Sequence, residues 1–204
     1  MVLAATARLR WALEEAGQPY DVRLIEHEDK DTPAYRQEQP FGQIPVFRDN
    51  AGAPPLFESG AILHHIGLHS EALMPLDEQG RAHTLSWMFA ALNSVEPHAQ
   101  NLMELLSGPA DAPWLSERRE QLEAMMVKRL TGVENWLKDR AFLCERFTVA
   151  DILMVSQLKL LEKSGIVARF AALAAYYARC VARPAYQRAL ADHMNLYKDV
   201  GEAA

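Results

Sequence analysis

The spacing of hydrophobic and polar residues changes along the chain, and its first part mixes two periodicities. From about Thr6 to Gly17, the apolar residues Leu9, Ala12 and Leu13 fall on one face of a predicted helix. The following segment 21–25 alternates polar and apolar residues, which predicts a half-buried strand. A helix followed by a strand is therefore expected at the start.

The next stretch predicts a short helix over 32–37 and two short strands, at 44–47 and 56–57. Turn-forming residues fill 49–55 between these strands, so the two should form a hairpin. Ser59 then begins another predicted helix. The order helix, strand, hairpin, helix predicts a small α/β layer.

A change of composition marks a domain boundary. Residues 71–80 contain Pro75, Asp77 and Gly80 and have the character of a linker. We therefore expect an α/β domain over 1–70 and an all-helical domain over 81–204.

Two signals predict long helices beyond that boundary. Apolar residues recur at spacings of three and four, which is typical of an amphipathic helix packed on its neighbours; they are Leu122, Met126, Leu130, Val133 and Leu137. A second helix should be kinked or ended by Pro97.

The segment 148–151 has the spacing of a capping box, in which Thr148 and Asp151 satisfy backbone N–H groups at a helix start. The apolar run 152–155 follows directly, so this helix should lie in the middle of the helical domain.

Composition and charge exclude several classes of protein. The 204-residue chain is 50% hydrophobic and 24% charged, as expected of a globular protein. It has no apolar run of about 20 residues and no signal-peptide pattern, so we expect a cytoplasmic protein without a membrane partner. The net charge of −6 argues against a nucleic-acid partner.

Two segments have the chemistry to bind an extended, anionic ligand. Gln43, Ile44 and Pro45 stand where a strand begins, and the backbone there can pair with an added peptide. Glu58 and Ser59 precede and begin a helix, where backbone N–H groups and the helix dipole favour an anion. A simple helix cap is the alternative interpretation of Ser59.

Other catalytic and metal-binding patterns are weak. Cys144 and Cys180 form no CxxC pair, and each is more typical of a reduced structural thiol than of a nucleophile. His65 and His69 are one helical turn apart with Glu71 close by, but no further cluster of ligands follows. We expect no metal site.

Four motifs in their observed order resemble a bacterial cytosolic glutathione transferase, and together they cover nearly the whole chain. They are Trp11-Ala-Leu-Glu-Glu-Ala-Gly17, Phe41-Gly-Gln-Ile-Pro45, Glu58-Ser-Gly-Ala-Ile62 and Phe147-Thr-Val-Ala-Asp151. The resemblance implies a thioredoxin-like N-terminal domain and an all-helical C-terminal domain.

The resemblance also implies a binding mode for glutathione. The proline matching Pro45 is cis in that family, and the backbone matching Ile44 pairs with the cysteinyl part of glutathione. Glu58 and Ser59 match residues that hold the γ-glutamyl end, and Gln43 could also reach the ligand. The implied second substrate is a small electrophile, and the implied assembly is a homodimer.

The chain departs from the family at its start. Members begin with an interior strand and then a loop carrying the Ser, Tyr or Cys that faces the glutathione sulfur; aligned on Trp11, that loop falls on Leu3-Ala-Ala5. Thr6 is the nearest hydroxyl and becomes the candidate catalytic residue. The α/β domain is expected to lack its first strand, which would leave two strand edges without a partner; a shortened start is one hypothesis for this.

Three functions therefore stay open. The first is transfer of glutathione to an electrophile, and the second is glutathione-dependent reduction of disulfides or peroxides. The third is a glutathione-binding or protein-interaction module without catalysis.

Overall fold

The computed structural model describes residues 2–49, 52–108 and 114–202, with side chains described from Thr6 to Leu196 inside these ranges. The chain forms two compact units. One contains the residues up to Leu73 together with those from Pro184 onward, and the other is Met74–Arg183.

The first unit contains four α-helices within its described residues. They are α1 (Val2–Ala16), α2 (Pro33–Glu38), α3 (Ser59–Leu68) and, from the end of the chain, α9 (Pro184–Glu202). A 3-10 helix, Glu28–Asp31, precedes α2. Helix α1 thus begins four residues earlier than the sequence pattern predicts, and Thr6 lies inside it instead of at its start.

Helix α1 is the centre of this unit, since both α3 and α9 pack on it. Its apolar face is buried as predicted, with Leu9 and Leu13 each 5% exposed. On the α9 side, the rings of Trp11 and Tyr186 meet edge to face at 4.9 Å, and Arg188 Nε lies 2.8 Å from a Glu14 carboxylate oxygen.

The position of α9 departs from the division expected from sequence, which placed 81–204 in one helical domain. Sequence periodicity reports which face of a helix is apolar and not which neighbour covers it. Here Trp11 of α1 supplies a large apolar surface against α9.

The sheet is much smaller than the sequence pattern predicts. Within the described part of the chain, the predicted hairpin consists of one antiparallel bridge between Phe47 and Leu56, with N···O distances of 2.9 and 2.8 Å. The strand predicted over 21–25 is not formed, and this prediction is wrong. Val22 and Leu24 are instead 38% and 43% exposed. Alternation can favour a strand, but the strand exists only where a neighbour accepts its hydrogen bonds.

Helices are the regular secondary structure of the second unit within its described residues. Its α-helices are α4 (Glu78–Phe89), α5 (Glu96–Ser107), α6 (Leu115–Leu137), α7 (Val149–Leu160) and α8 (Ala171–Val181), with 3-10 helices Glu162–Ser164 and Val167–Arg169 after α7. The five residues of the predicted apolar stripe are the buried residues of α6. That prediction is confirmed.

Helix α7 forms the core of this unit. Every residue from Val149 to Leu158 is buried. The predicted capping box is present at its start: the Thr148 N–H donates to Asp151 Oδ2 at 2.8 Å, and Thr148 Oγ1 accepts from the Ala150 N–H at 3.3 Å.

The helix predicted to be kinked or ended by Pro97 changes its hydrogen-bond pattern just before that residue. A π-helical turn, Ala90–Val95, joins α4 to α5, and Pro97 lies in the first turn of α5. Proline cannot donate a backbone hydrogen bond, and a π-helical turn is a local distortion within a helix.

Candidate functional site

The loop before Pro45 is held in shape by its own residues. Gly42 has φ +62°, and a Cβ there would lie 2.8 Å from Arg36 Cζ and 2.9 Å from the Lys30 carbonyl oxygen, so the loop requires glycine. The Phe41 N–H donates to the buried Gln39 side chain at 2.6 Å. The Ile44–Pro45 peptide bond is cis.

Tyr35 of α2 fixes the next part of this loop. Its hydroxyl donates to the Gln43 carbonyl oxygen at 2.7 Å, and its side chain is 8% exposed. Burial, followed by the nearby Glu38 carboxylate, raises the pKa of Tyr35, so this hydroxyl stays a donor at neutral pH. The Gln43 side chain is exposed, whereas Ile44 and Pro45 are half-buried.

The start of α3 offers unused hydrogen-bond donors. Glu58 precedes the helix with φ +67°, and its side chain does not cap it. Among the described residues, no acceptor is found for the N–H groups of Ser59, Gly60 or Ala61. The first N–H groups of a helix carry its positive partial charge and readily accept an anion.

Arg8 of α1 reaches the same helix start. Its side chain is 4% exposed, and Nη1 donates to Ser59 Oγ at 3.2 Å. With its oxygen accepting this bond, the Ser59 hydroxyl has its hydrogen available for another acceptor. A buried guanidinium beside a helix N-terminus increases the preference of this position for a negative group.

The bridge between Phe47 and Leu56 relates the loop to the helix start. It pairs Phe47, two residues after Pro45, with Leu56, two residues before Glu58. The rings of Phe41 and Phe57 also meet, with centroids 6.3 Å apart. The bridge therefore holds the chain after Pro45 beside the residues that lead into α3.

A cavity of about 1130 Å³ opens beside these segments in the same unit. Thr6, Ile44 and Pro45 lie in its wall, whereas Gln43, Glu58 and Ser59 are not among its lining residues. The Thr6 side chain is half-buried. The structure thus brings Thr6 to the same cavity as the Ile44–Pro45 segment.

The cysteines are poorly suited to nucleophilic chemistry. Burial raises the pKa of Cys144 and raises that of the fully buried Cys180 much further. A reactive cysteine must be a thiolate, and both environments favour the neutral thiol.

His65 and His69 have protein partners. His65 Nε2 lies 2.9 Å from Asp49 Oδ2, and His69 Nδ1 lies 2.9 Å from the His65 carbonyl oxygen. Within the described ranges, no group of three His, Cys, Asp or Glu side chains could hold a metal ion. The helices of that part of the chain also include none long and apolar enough to cross a membrane.

Sequence reasoning missed Arg8, Tyr35 and Gly42. Arg8 lies one helical turn before the fully buried Ala12, and a cation on the buried face of a helix was the available signal for it. Tyr35 and Gly42 act through contacts that no local pattern reports.

Comparisons with known proteins agree with the motif order. The family model for the glutathione S-transferase N-terminal domain matches residues 2–67, and the model for the C-terminal domain matches residues 98–184.

Two curated proteins match over part of their length. Disulfide-bond oxidoreductase YghU of Escherichia coli is 34% identical over 82 residues, covering 38% of this chain and 28% of that protein. Glutathione S-transferase F4 of Arabidopsis thaliana is 33% identical over 147 residues, covering 66% of this chain and 57% of that protein. The matches thus span less than two thirds of each relative.

Solved structures match over nearly the whole chain. A glutathione transferase from Burkholderia graminis, with two glutathione molecules bound per subunit, is 27% identical with a TM-score of 0.83, covering 93% of this chain and 85% of that one. A glutathione transferase family member from Pseudomonas fluorescens, with two glutathione bound, is 25% identical with a TM-score of 0.81, covering 92% and 88%. With both domain models matched in order, the chain belongs to the glutathione S-transferase family.

Proposed function

We propose that this protein is a glutathione transferase that binds glutathione through Gln43, Ile44, Pro45, Glu58 and Ser59. Its second substrate is a small electrophile. One observation carries the proposal: the Phe47–Leu56 bridge joins the segment after the cis Ile44–Pro45 bond to the residues that lead into the N-terminus of α3, which supports a single ligand site formed by both.

The two halves of this site suit the two ends of glutathione. The γ-glutamyl end carries a carboxylate, which the N–H groups at the start of α3 and the Ser59 hydroxyl can bind. The peptide part is extended and can pair with the backbone of Ile44. Each half alone is a common structural feature, and their juxtaposition favours a ligand that needs both.

Catalysis requires the glutathione thiolate. A thiol with a pKa near 8.5 is only a few per cent ionised at pH 7, and lowering that pKa by two units needs about 2.7 kcal/mol of preferential stabilisation. We propose that the Thr6 hydroxyl donates a hydrogen bond to the thiolate, since Thr6 and Ile44 line the same cavity. The thiolate then forms a bond to the electrophilic carbon, and the leaving group departs with its electron pair.

A second candidate is disulfide reduction. It is favoured by the 34% identity to a disulfide-bond oxidoreductase and by the two glutathione molecules bound in each of two similar structures. In this reaction one glutathione thiolate attacks the substrate disulfide and releases a thiol. A second glutathione resolves the mixed disulfide, giving oxidised glutathione and a second thiol. Peroxide reduction would likewise oxidise two glutathione molecules.

The layout of the first unit, the oligomeric state and the cellular location are part of the same proposal. We assign the first unit a thioredoxin-like α/β layout, supported by the N-terminal family match and by the bridge before α3. A homodimer in the cytoplasm is the arrangement expected from the family.

The test uses the full chain and two assays run in parallel. Conjugation of glutathione to 1-chloro-2,4-dinitrobenzene should proceed above the uncatalysed rate, and Thr6→Val should lower kcat while leaving glutathione binding intact. Reduction of 2-hydroxyethyl disulfide measures the second candidate. If the disulfide is reduced and the electrophile is not conjugated, the protein is a glutathione-dependent disulfide reductase and not a transferase.

Measurements of glutathione binding test the third function, a glutathione-binding module without catalysis. If glutathione binds but neither substrate turns over, the protein is a non-catalytic glutathione-binding module. If glutathione does not bind, all three functions are contradicted.

A further inference from the structure

Gln157 is a fully buried amide in the core of the second unit. It lies in α7, its side chain is 0% exposed, and among the described residues neither Oε1 nor Nε2 has a hydrogen-bond partner. The neighbouring Ser156, by contrast, donates to the Ile152 carbonyl oxygen at 2.7 Å. Because the large majority of buried polar side-chain atoms bind either protein or ordered water, the Gln157 amide points to a partner that the chain itself does not supply.

A backbone carbonyl of the π-helical turn Ala90–Val95 lacks its helical donors. In an α-helix the Leu92 carbonyl would accept from the Glu96 N–H, but this N–H donates to the Ala91 carbonyl instead. In a π-helix the donor to Leu92 would be the N–H of Pro97, and proline has none. Neither helical pattern therefore supplies a hydrogen bond to the Leu92 carbonyl.

Helix α7 runs beside this turn. It packs on α4, on the π-helical turn and on α5, which follow one another along the chain. Before its start, Cys144 Sγ lies 3.7 Å from Thr84 Oγ1 of α4, and the same thiol bonds to the side chain of Thr148, the N-cap of α7. Because α7 starts beside α4 and also packs on the turn and on α5, it runs in the same direction as they do.

This common direction sets Gln157 and Leu92 at the same level of the helical core. Leu92 follows Thr84 by eight residues, and Gln157 follows Thr148 by nine. At 1.5 Å per residue, both lie about 12–14 Å along their helices from the shared start. An amide without a partner and a carbonyl without a helical donor therefore belong to the same region of the packed interface between α7 and the π-helical turn.

We propose that a water molecule is bound between α7 and the π-helical turn. It donates to the Leu92 carbonyl in place of the N–H that Pro97 lacks, and it hydrogen-bonds to the Gln157 amide on its other side. The water thus completes the hydrogen-bond ladder at the junction of α4 and α5, and it ties this junction to the central helix of the second unit.

Water suits both groups better than an ion does. A carbonyl only accepts, whereas an amide side chain both donates and accepts, and water has two hydrogens and two lone pairs to match them. Neither the Leu92 carbonyl nor the Gln157 amide carries a charge that would hold an ion. Buried waters typically bind polar groups that are otherwise unsatisfied, and a water that enters the ladder is one recognised cause of a distorted helix.

The experiment uses the full chain without substitutions. A crystal structure should show ordered water at about 2.7–3.2 Å from both the Leu92 carbonyl oxygen and an atom of the Gln157 amide. In solution, the side-chain amide protons of Gln157 should give an NMR cross-peak to water with the sign of a long-lived, bound molecule.

Two variants remove the two sides of the site. Gln157→Met keeps a side chain of similar length without the amide, so the ordered water should be lost. Pro97→Ala returns an N–H that can donate to the Leu92 carbonyl, so the cross-peak between Gln157 and water should be lost. Ser156→Ala is the matched control, because this buried hydroxyl already has a protein acceptor, and it should leave both signals unchanged.

Several results would overturn the proposal. One is a direct hydrogen bond between Gln157 and a protein carbonyl, with no water between them. Absence of the ordered water from the native crystal structure, or of the cross-peak from the native spectrum, is another. Persistence of the cross-peak in Pro97→Ala would also contradict it. The readings on the native protein decide even where a variant fails to fold, and none of them involves glutathione, so they are independent of the proposed function.

Discussion

Arg8 Nη1 lies 3.2 Å from Ser59 Oγ, and this contact joins α1 to the first residue of α3 across 51 positions of sequence. It brings a buried guanidinium to the helix N-terminus that is proposed to hold the γ-glutamyl end of glutathione. Through this contact, a substitution in α1 can change ligand binding at the start of α3.

The first prediction concerns this pair. Ser59→Ala removes a hydroxyl that binds the ligand carboxylate, so glutathione should bind roughly 10- to 150-fold more weakly, in line with about 1.5–3 kcal/mol for a hydrogen bond to a charged group. Arg8→Gln should weaken binding through Ser59. The double variant should therefore lose less than the two single losses combined, as calorimetric titration can measure.

The control for this cycle is Ser86→Ala, which removes a hydroxyl from an exposed position of α4 and should leave the affinity unchanged. Strict additivity between Arg8→Gln and Ser59→Ala would show that Arg8 does not act through the serine.

Tyr35→Phe tests the support of the Gln43–Ile44 segment. The substitution deletes the 2.7 Å hydrogen bond to the Gln43 carbonyl oxygen, so the free energy of unfolding should fall by about 1 kcal/mol. Glutathione affinity should fall several-fold because the loop is held less firmly. Denaturant unfolding and titration give the two values. Tyr177→Phe, in α8 of the second unit, is the matched control for affinity, and an equal loss there would argue against a specific role for Tyr35.

Gly42 and Gly17 form a matched pair with φ +62° and +64°. Gly17→Ala meets no atom within 4 Å, so it should cost only the left-handed backbone penalty of about 1–2 kcal/mol. Gly42→Ala adds contact with the Lys30 carbonyl at 2.9 Å and should cost about 1–3 kcal/mol more. Thermal or denaturant unfolding measures both, and equal costs would contradict the close packing of the loop.

Asp151 gives a prediction about pH. Burial raises its pKa to about 6 from a usual 3.8, even though Leu143, Thr148 and Tyr176 donate hydrogen bonds to it. Between pH 3.8 and about pH 6, Asp151 is therefore protonated in the folded state and ionised in the unfolded state. The stability from this group is full below pH 3.8 and is lost as pH rises through about 6.

The measurement is the free energy of unfolding of the native protein minus that of Asp151→Asn. This difference should become less favourable to the native protein by about 3 kcal/mol between pH 3.5 and pH 7, since each pKa unit corresponds to about 1.4 kcal/mol. A difference that is constant with pH, or that grows with it, would contradict the raised pKa.

Local pattern was sufficient for the helices and insufficient for the sheet. The spacing from Leu122 to Leu137 reports a single buried face, and α6 buries that face. The alternation over 21–25 reports only that a strand would be amphipathic. Since pairing depends on a neighbouring segment, the same residues make no backbone hydrogen bond to any other described residue.

The candidate site was also only partly predictable from the sequence. Ile44 and Ser59 stand in short motifs whose order identifies the family, and the match to both domain models confirms the family assignment. The role of Arg8 depends on a contact with α3, for which its place on the buried face of α1 was the one signal, and the role of Tyr35 depends on a backbone carbonyl that no local pattern identifies.

Calorimetric titration of glutathione into the native protein, Ser59→Ala and Ser86→Ala tests the central claim most directly. The account predicts saturable binding by the native protein, equal binding by Ser86→Ala, and roughly 10- to 150-fold weaker binding by Ser59→Ala. No saturable binding by the native protein, or equal affinity in all three, would contradict it.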